Sequence, residues 1–165
     1  VTAPPPTVVV ADERSESDSP EVVVDVERWC RLALDVLVDS DAVGELTLSF
    51  VDSDDIAELN LEHMGKPGPT DVLSFPMDDE PVVGVPTLLG DVVISPAVAA
   101  GQFAEHAGTL DDELALLVVH GVLHVLGHDH AEPDETAVMR AREVDLLERF
   151  HWSGEAPAGF RQTHD

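Results

Sequence analysis

Apolar positions along this chain alternate in short early runs and then lengthen into helical stripes toward the C-terminus. Thr7–Ala11 reads as a short buried strand, and Asp12–Ser19 as a polar loop. From about Pro20 to Val38 the spacing is helical. A proline suits the first helical position, and Val24, Trp29, Ala33, Val36 and Leu37 can share one face. Asp39–Gly44 is a turn, and Glu45–Val51 alternates as a strand with Leu46, Leu48 and Phe50 on one side. Ser53 can cap a helix running to about Met64, with Asp54 and Asp55 in its first turn. Gly65–Pro69 breaks that helix, and Thr70–Phe75 is a third strand ended by Pro76. Asp78–Val85 is an acidic loop, Leu88–Ser95 a fourth strand, and Pro96 opens a helix to about His106.

Thr109 caps the next helix, and Asp112 three residues on completes a capping-box pair. Leucine and valine surround this helix from Leu110 to Leu126 almost on every side. A helix apolar all round is buried, so this one is the spine of the core. A last amphipathic helix runs from about Asp134 to Phe150. Four strands and about five helices, with strands early and helices late, predict an α+β fold with a four-stranded mixed sheet. The expected organisation is one domain over residues 1–151 and a disordered tail over 152–165, which contains Gly and Pro.

The buried helix carries the chemistry. It reads His120-Gly-Val-Leu-His124-Val-Leu-Gly127-His-Asp-His130. Residues four apart share a helix face, with Cβ atoms about 5–6 Å apart. His120 and His124 can therefore hold one small cation. In an unbroken helix His130 would lie about 15 Å along the axis from His120 and point elsewhere. Gly127 can take the left-handed conformation that ends a helix and turns the chain back, so His130 can face the other two. Three neutral imidazoles with an open fourth position are the ligand set of a catalytic zinc, one ion per chain.

Composition sets limits on the partners. The 165 residues hold 34 acidic groups against 8 Lys plus Arg, a formal charge of −26. Such a surface binds polyanions poorly without local help. Any phosphate chemistry must work through few cations, among them the only lysine, Lys66, in the central loop. Lys66 is either a phosphate contact or a solvated loop residue. The single cysteine, Cys30, cannot form an internal disulfide and reads as a buried thiol. One cysteine and no signal-peptide pattern point to the cytoplasm. The apolar stretch from about Leu114 to Gly127 is too short for a membrane span.

The spacing H-x-x-x-H-x-x-G-x-x-H matches the helix and glycine turn of metzincin proteases, which carry a glutamate general base directly after the first histidine. Here that position is Gly121, so a peptidase keeps the metal and loses its base. A zinc ion can still lower the pKa of its water to about 7 and act as a Lewis acid on a phosphoryl oxygen. Phosphodiester cleavage therefore survives the missing glutamate better than peptide cleavage does. Gly121 can also let another backbone approach the helix. Asp129 is either an outer-shell partner of a ligand histidine or a solvated turn residue, and His128 reads as a turn residue. His151 and His164 read as non-ligands.

Three blocks resemble the YbeY family of bacterial metal-dependent endoribonucleases and rRNA maturation factors: His120–His130, Pro69-Thr-Asp-Val-Leu-Ser-Phe-Pro76 and Leu89-Gly-Asp-Val-Val-Ile94. The resemblance covers roughly Val8 to Phe150. It implies a zincin-like fold with zinc on His120, His124 and His130. It also implies cleavage of single-stranded RNA, maturation of the 3′ end of small-subunit (16S) rRNA, and a part in ribosome quality control. The implied partners are the small ribosomal subunit, its proteins and an assembly GTPase, with no DNA and no membrane. His128 stands where many members have tyrosine, and Met64 where many have arginine. Met64 cannot hold a phosphate, and Lys66 would do so as a point charge rather than a bidentate fork. Ser74 and Asp91 lie in the family blocks and are equally plausible as structural hydrogen-bonding groups. A different reading makes the chain a ribosome-assembly binding factor whose zinc is mainly structural.

Overall fold

The computed structural model describes residues 4–15, 21–77, 82–85 and 87–162. Four strands, β1 (Thr7–Asp12), β2 (Glu45–Phe50), β3 (Val72–Pro76) and β4 (Leu88–Ile94), form one sheet in the order β1-β2-β4-β3. The first two contacts are parallel and β3 runs antiparallel to β4, so the sheet is mixed, as expected. Five α-helices accompany it: α1 (Val26–Asp39), α2 (Ser53–Leu59), α3 (Pro96–Gln102), α4 (Leu110–Val125) and α5 (Pro133–Phe150). Leu46, Leu48, Phe50, Val92 and Ile94 of the sheet meet α1, α4 and α5 in the main core. On the other face Val51, Ile56, Leu73 and Val93 form a smaller cluster under α2.

Helix α4 is the spine, buried on nearly every side from Asp112 to Val125 except at His124. Thr109 caps it, its Oγ1 accepting from Asp112 N at 3.1 Å. The expected reciprocal half of the capping box is absent. The Asp112 carboxylate instead accepts from His151 Nε2 at 2.7 Å and Trp152 Nε1 at 2.8 Å.

Three boundaries differ from the sequence expectation. Helix α1 starts at Val26, not near Pro20, which lies outside the described residues. Val22, Val23 and Val24 are β-branched and favour extended backbone, and Asp25 caps the helix by accepting from Arg28 N at 3.2 Å. Helix α2 is flanked by Asp52 rather than capped by Ser53, and it widens into a π-helical turn over Asn60–Met64, ended by Gly65 at φ 68°. The expected disordered tail is corrected over 152–162: Trp152 and Phe160 pack on the main core. The rest of the tail, 163–165, lies outside the described residues, as do residues 78–81 of the acidic loop. Cys30 is half-buried rather than buried.

Candidate metal centre

Helix α4 ends in a Schellman turn. Gly127 N donates to His124 O and His128 N to Leu123 O, each at 3.0 Å, with Gly127 at φ 102°. A side chain at that φ would be strained, so glycine sets the bend. The bend returns His130 to the helix face that carries His120 and His124. Ring centroids stand 4.6 Å (His120–His124), 4.8 Å (His124–His130) and 5.5 Å (His120–His130) apart. One nitrogen from each ring lies within 4.8 Å of the others. Bonds of about 2.0–2.1 Å to one tetrahedral ion would space these nitrogens about 3.3 Å apart, so the rings would turn inward on an ion. The donor set fits a divalent ion of the zinc type.

Glu143 of α5 orients His120, the most buried of the three histidines. Its Oε2 lies 2.7 Å from His120 Nδ1, and both side chains are buried. A neutral imidazole facing a carboxylate donates from Nδ1, which leaves the Nε2 lone pair for the ion. The sequence reading missed Glu143. Its signal was a carboxylate inside the buried stripe Met139, Glu143, Leu146 and Leu147 of α5. Asp129 does not take the outer-shell role: it is exposed, and its Oδ1 accepts from His130 N at 2.7 Å, closing its own turn.

His124 is half-buried, and its pKa falls from an ordinary 6.5 to about 4. Loss of hydration is the main cause. Charge on His120 and His130 adds to it, while Asp129 and a backbone hydrogen bond with His128 oppose it. The ring is therefore neutral and ready to ligate well below neutral pH. A consequence for the metal-free protein follows. The folded pKa lies below the unfolded one, so between about pH 6.5 and 4 the unfolded chain holds the extra proton. This contribution to stability is whole above pH 6.5 and is lost as pH falls toward 4. Melting of the metal-free protein across that window should show it, and His124→Gln should flatten the slope. An unchanged slope in the variant would contradict the assignment.

Gly121 sits where α4 crosses the β3–β4 pair. A Cβ there would lie 2.5 Å from Val92 Cγ1 and 3.4 Å from Ser74 Oγ. Ser74 Oγ donates to Gly121 O at 3.0 Å, so its role here is to dock β3 on the metal helix. Position 121 has no room for the glutamate of a zinc peptidase.

The three histidines line a cleft of about 580 Å³ whose walls include Asn60, Lys66, Thr70, Asp71 and Ser74. Asn60 Nδ2 donates to Gly68 O at 3.0 Å and pins the loop that carries Lys66. Gln102 Nε2 bridges Asp71 Oδ2 (2.8 Å) and the buried Glu113 Oε2 (2.9 Å), tying the start of β3 to α4. Lys66 is exposed at the cleft wall, and Met64 beside it is also exposed. Several arginines are already neutralised. Arg149 and then Arg142 hold the Asp39 carboxyl well below its usual range, and Arg28 pairs with Asp111 at 3.1 Å. Lys66 pairs with no carboxylate among the described residues. His128 is half-buried on the cleft wall. His151 is committed to Asp112 and is no part of the centre.

A mixed four-stranded sheet over a buried helix that presents H-x-x-x-H, with a glycine turn bringing in a third imidazole that could complete a metal site, defines a protein of the zincin-like α+β class. The family model described as Endoribonuclease YbeY matches residues 9–151. An Endoribonuclease YbeY of Mycolicibacterium vanbaalenii is 43% identical over 152 residues, covering 87% of this chain and 80% of that one. One of Mycobacterium tuberculosis is 42% identical over 152 residues, covering 87% and 83%. The chain belongs to the endoribonuclease YbeY family. A protein of Thermotoga maritima, solved in solution, shares the fold, with a TM-score of 0.55 over 89% of this chain and 93% of that one at 21% identity.

Proposed function

We propose that this chain is a zinc-dependent endoribonuclease of single-stranded RNA. It matures the 3′ end of small-subunit (16S) rRNA and takes part in ribosome quality control in the cytoplasm. The small subunit, its proteins and an assembly GTPase are the partners. The observation that carries the reading is the convergence of His120, His124 and His130 at an open cleft that also presents Lys66. No helix among the described residues is long and apolar enough to cross a membrane.

A zinc ion held by three neutral imidazoles supplies Lewis acidity at a phosphoryl oxygen and makes water in the site more acidic. The chain's own residues do the positioning. Glu143 keeps the His120 proton on Nδ1, and desolvation keeps His124 neutral. The Lys66 ammonium offers a point charge to a substrate phosphate on a surface that otherwise repels RNA. Close packing at Gly121 leaves no room for a peptidase's glutamate base, which speaks against peptide hydrolysis and leaves phosphodiester chemistry intact.

Single-turnover cleavage of a small-subunit rRNA precursor tests this reading. Cleavage should stop in chelator and return when zinc is restored. Cleavage that persists after full metal removal would overturn it. Metal-insensitive binding to the small subunit with no cleavage would favour the assembly-factor reading instead.

A further inference from the structure

The described part of the C-terminal segment after α5 runs back along that helix and reaches Glu143, the partner of His120. Its path is fixed at four places. Trp152 Nε1 donates to Asp112 Oδ1 at 2.8 Å. Ala156 N donates to Glu148 Oε2 at 2.9 Å. Phe160 meets Trp152 edge to face, with centroids 4.8 Å apart at 80°, and packs on the main core. Gln162 Nε2 then donates to Arg140 O at 2.9 Å and to Glu143 Oε1 at 3.0 Å.

That last contact matters because of what the other oxygen of Glu143 does. Oε2 accepts from His120 Nδ1–H, and Oε1 accepts from Gln162 Nε2–H. Glu143 is 3% exposed, so the protein must supply its hydrogen bonds. A carboxylate held at both oxygens keeps one rotation. A carboxylate held at one can swing, and the imidazole bonded to it swings too. Outer-shell partners of this kind set both ring orientation and ligand basicity.

We propose that residues 152–162 are a working part of the metal centre. Gln162 is a positioning residue that locks Glu143, and through it His120, in the orientation that presents Nε2 to the ion. Trp152 and Phe160 anchor the segment so that Gln162 reaches this place. The inference rests on reading His120, His124 and His130 as metal ligands.

The test uses the full chain and Gln162→Met, which keeps the side chain's length and removes both N–H donors. Zinc affinity is measured by chelator competition, and the visible spectrum is recorded with cobalt(II) in place of zinc. Gln162→Met should weaken zinc binding several-fold, less than the roughly 10- to 100-fold lost with a partner that touches a ligand directly, and shift the cobalt bands. The melting temperature of the metal-free protein should fall as well, because Glu143 Oε1 loses its buried donor; the changed cobalt spectrum is the readout that a merely structural role would not move. Phe160→Ala, which frees the segment at a distance, should weaken zinc to a similar degree. The double variant should bind no worse than the weaker single one, since both changes act through one contact. Wild-type affinity and spectrum in Gln162→Met would overturn the inference while leaving the metal centre standing. A wild-type chain that binds neither ion would overturn the metal reading and this inference with it.

Discussion

Replacing Gly121 with alanine should destabilise the protein by about 1–3 kcal/mol, the range for forcing extra volume into a packed core. The new Cβ would stand 2.5 Å from Val92 Cγ1, and Val92 is fully buried on the central strand pair. A valine methyl is not the loose end of a long side chain, so it cannot swing clear. Either α4 lifts from the sheet or β4 bends away. Lifting α4 also stretches the Ser74 Oγ–Gly121 O bond that docks β3 beside the three histidines. Urea unfolding of the metal-free protein should show a lower midpoint with an unchanged slope. Stability within about 0.5 kcal/mol of wild type, the usual scatter for harmless substitutions, would contradict this packing account.

Replacing His124 with alanine should abolish tight binding of a divalent ion. His124 is the middle ring, 4.6 Å from His120 and 4.8 Å from His130. Without it two imidazoles remain, more than 5 Å apart between centroids. Two readouts follow. Added zinc should raise the wild-type melting temperature, since a ligand at 100 times its Kd contributes about 2.7 kcal/mol to the folded state; the variant should show no rise. RNA cleavage should fall by more than the roughly 10- to 100-fold that outer-shell partners carry, because a direct ligand has gone. A variant that keeps both the zinc-induced rise and the cleavage rate would exclude His124 as a ligand.

The metal helix was legible in the sequence because its signals are local. Leucine and valine on all sides mark a buried helix, His120 and His124 are one turn apart, and Gly127 marks the bend. The strands were legible from period-two alternation, clearest in Leu46, Leu48 and Phe50, and the mixed sheet from strands lying early and helices late. What escaped depended on contacts far apart in the chain. Glu143 meets His120 across 23 residues, and nothing near it in sequence says which histidine it faces. Asp112 fits a capping box by spacing, yet its carboxylate goes to His151 and Trp152, about 40 residues on. Pro20 drew the start of α1 too early, where the Val22–Val24 run and the Asp25 cap decide it. In the tail, Gly154, Pro157 and Gly159 obscured two aromatic anchors, Trp152 and Phe160.

Zinc-edge X-ray absorption on the metal-loaded full chain tests the three-imidazole centre most directly. The expected result is one zinc per chain with three imidazole nitrogens at about 2.0–2.1 Å and one further light atom from outside the protein. A shell dominated by oxygen, or one with fewer than three imidazoles, would contradict it.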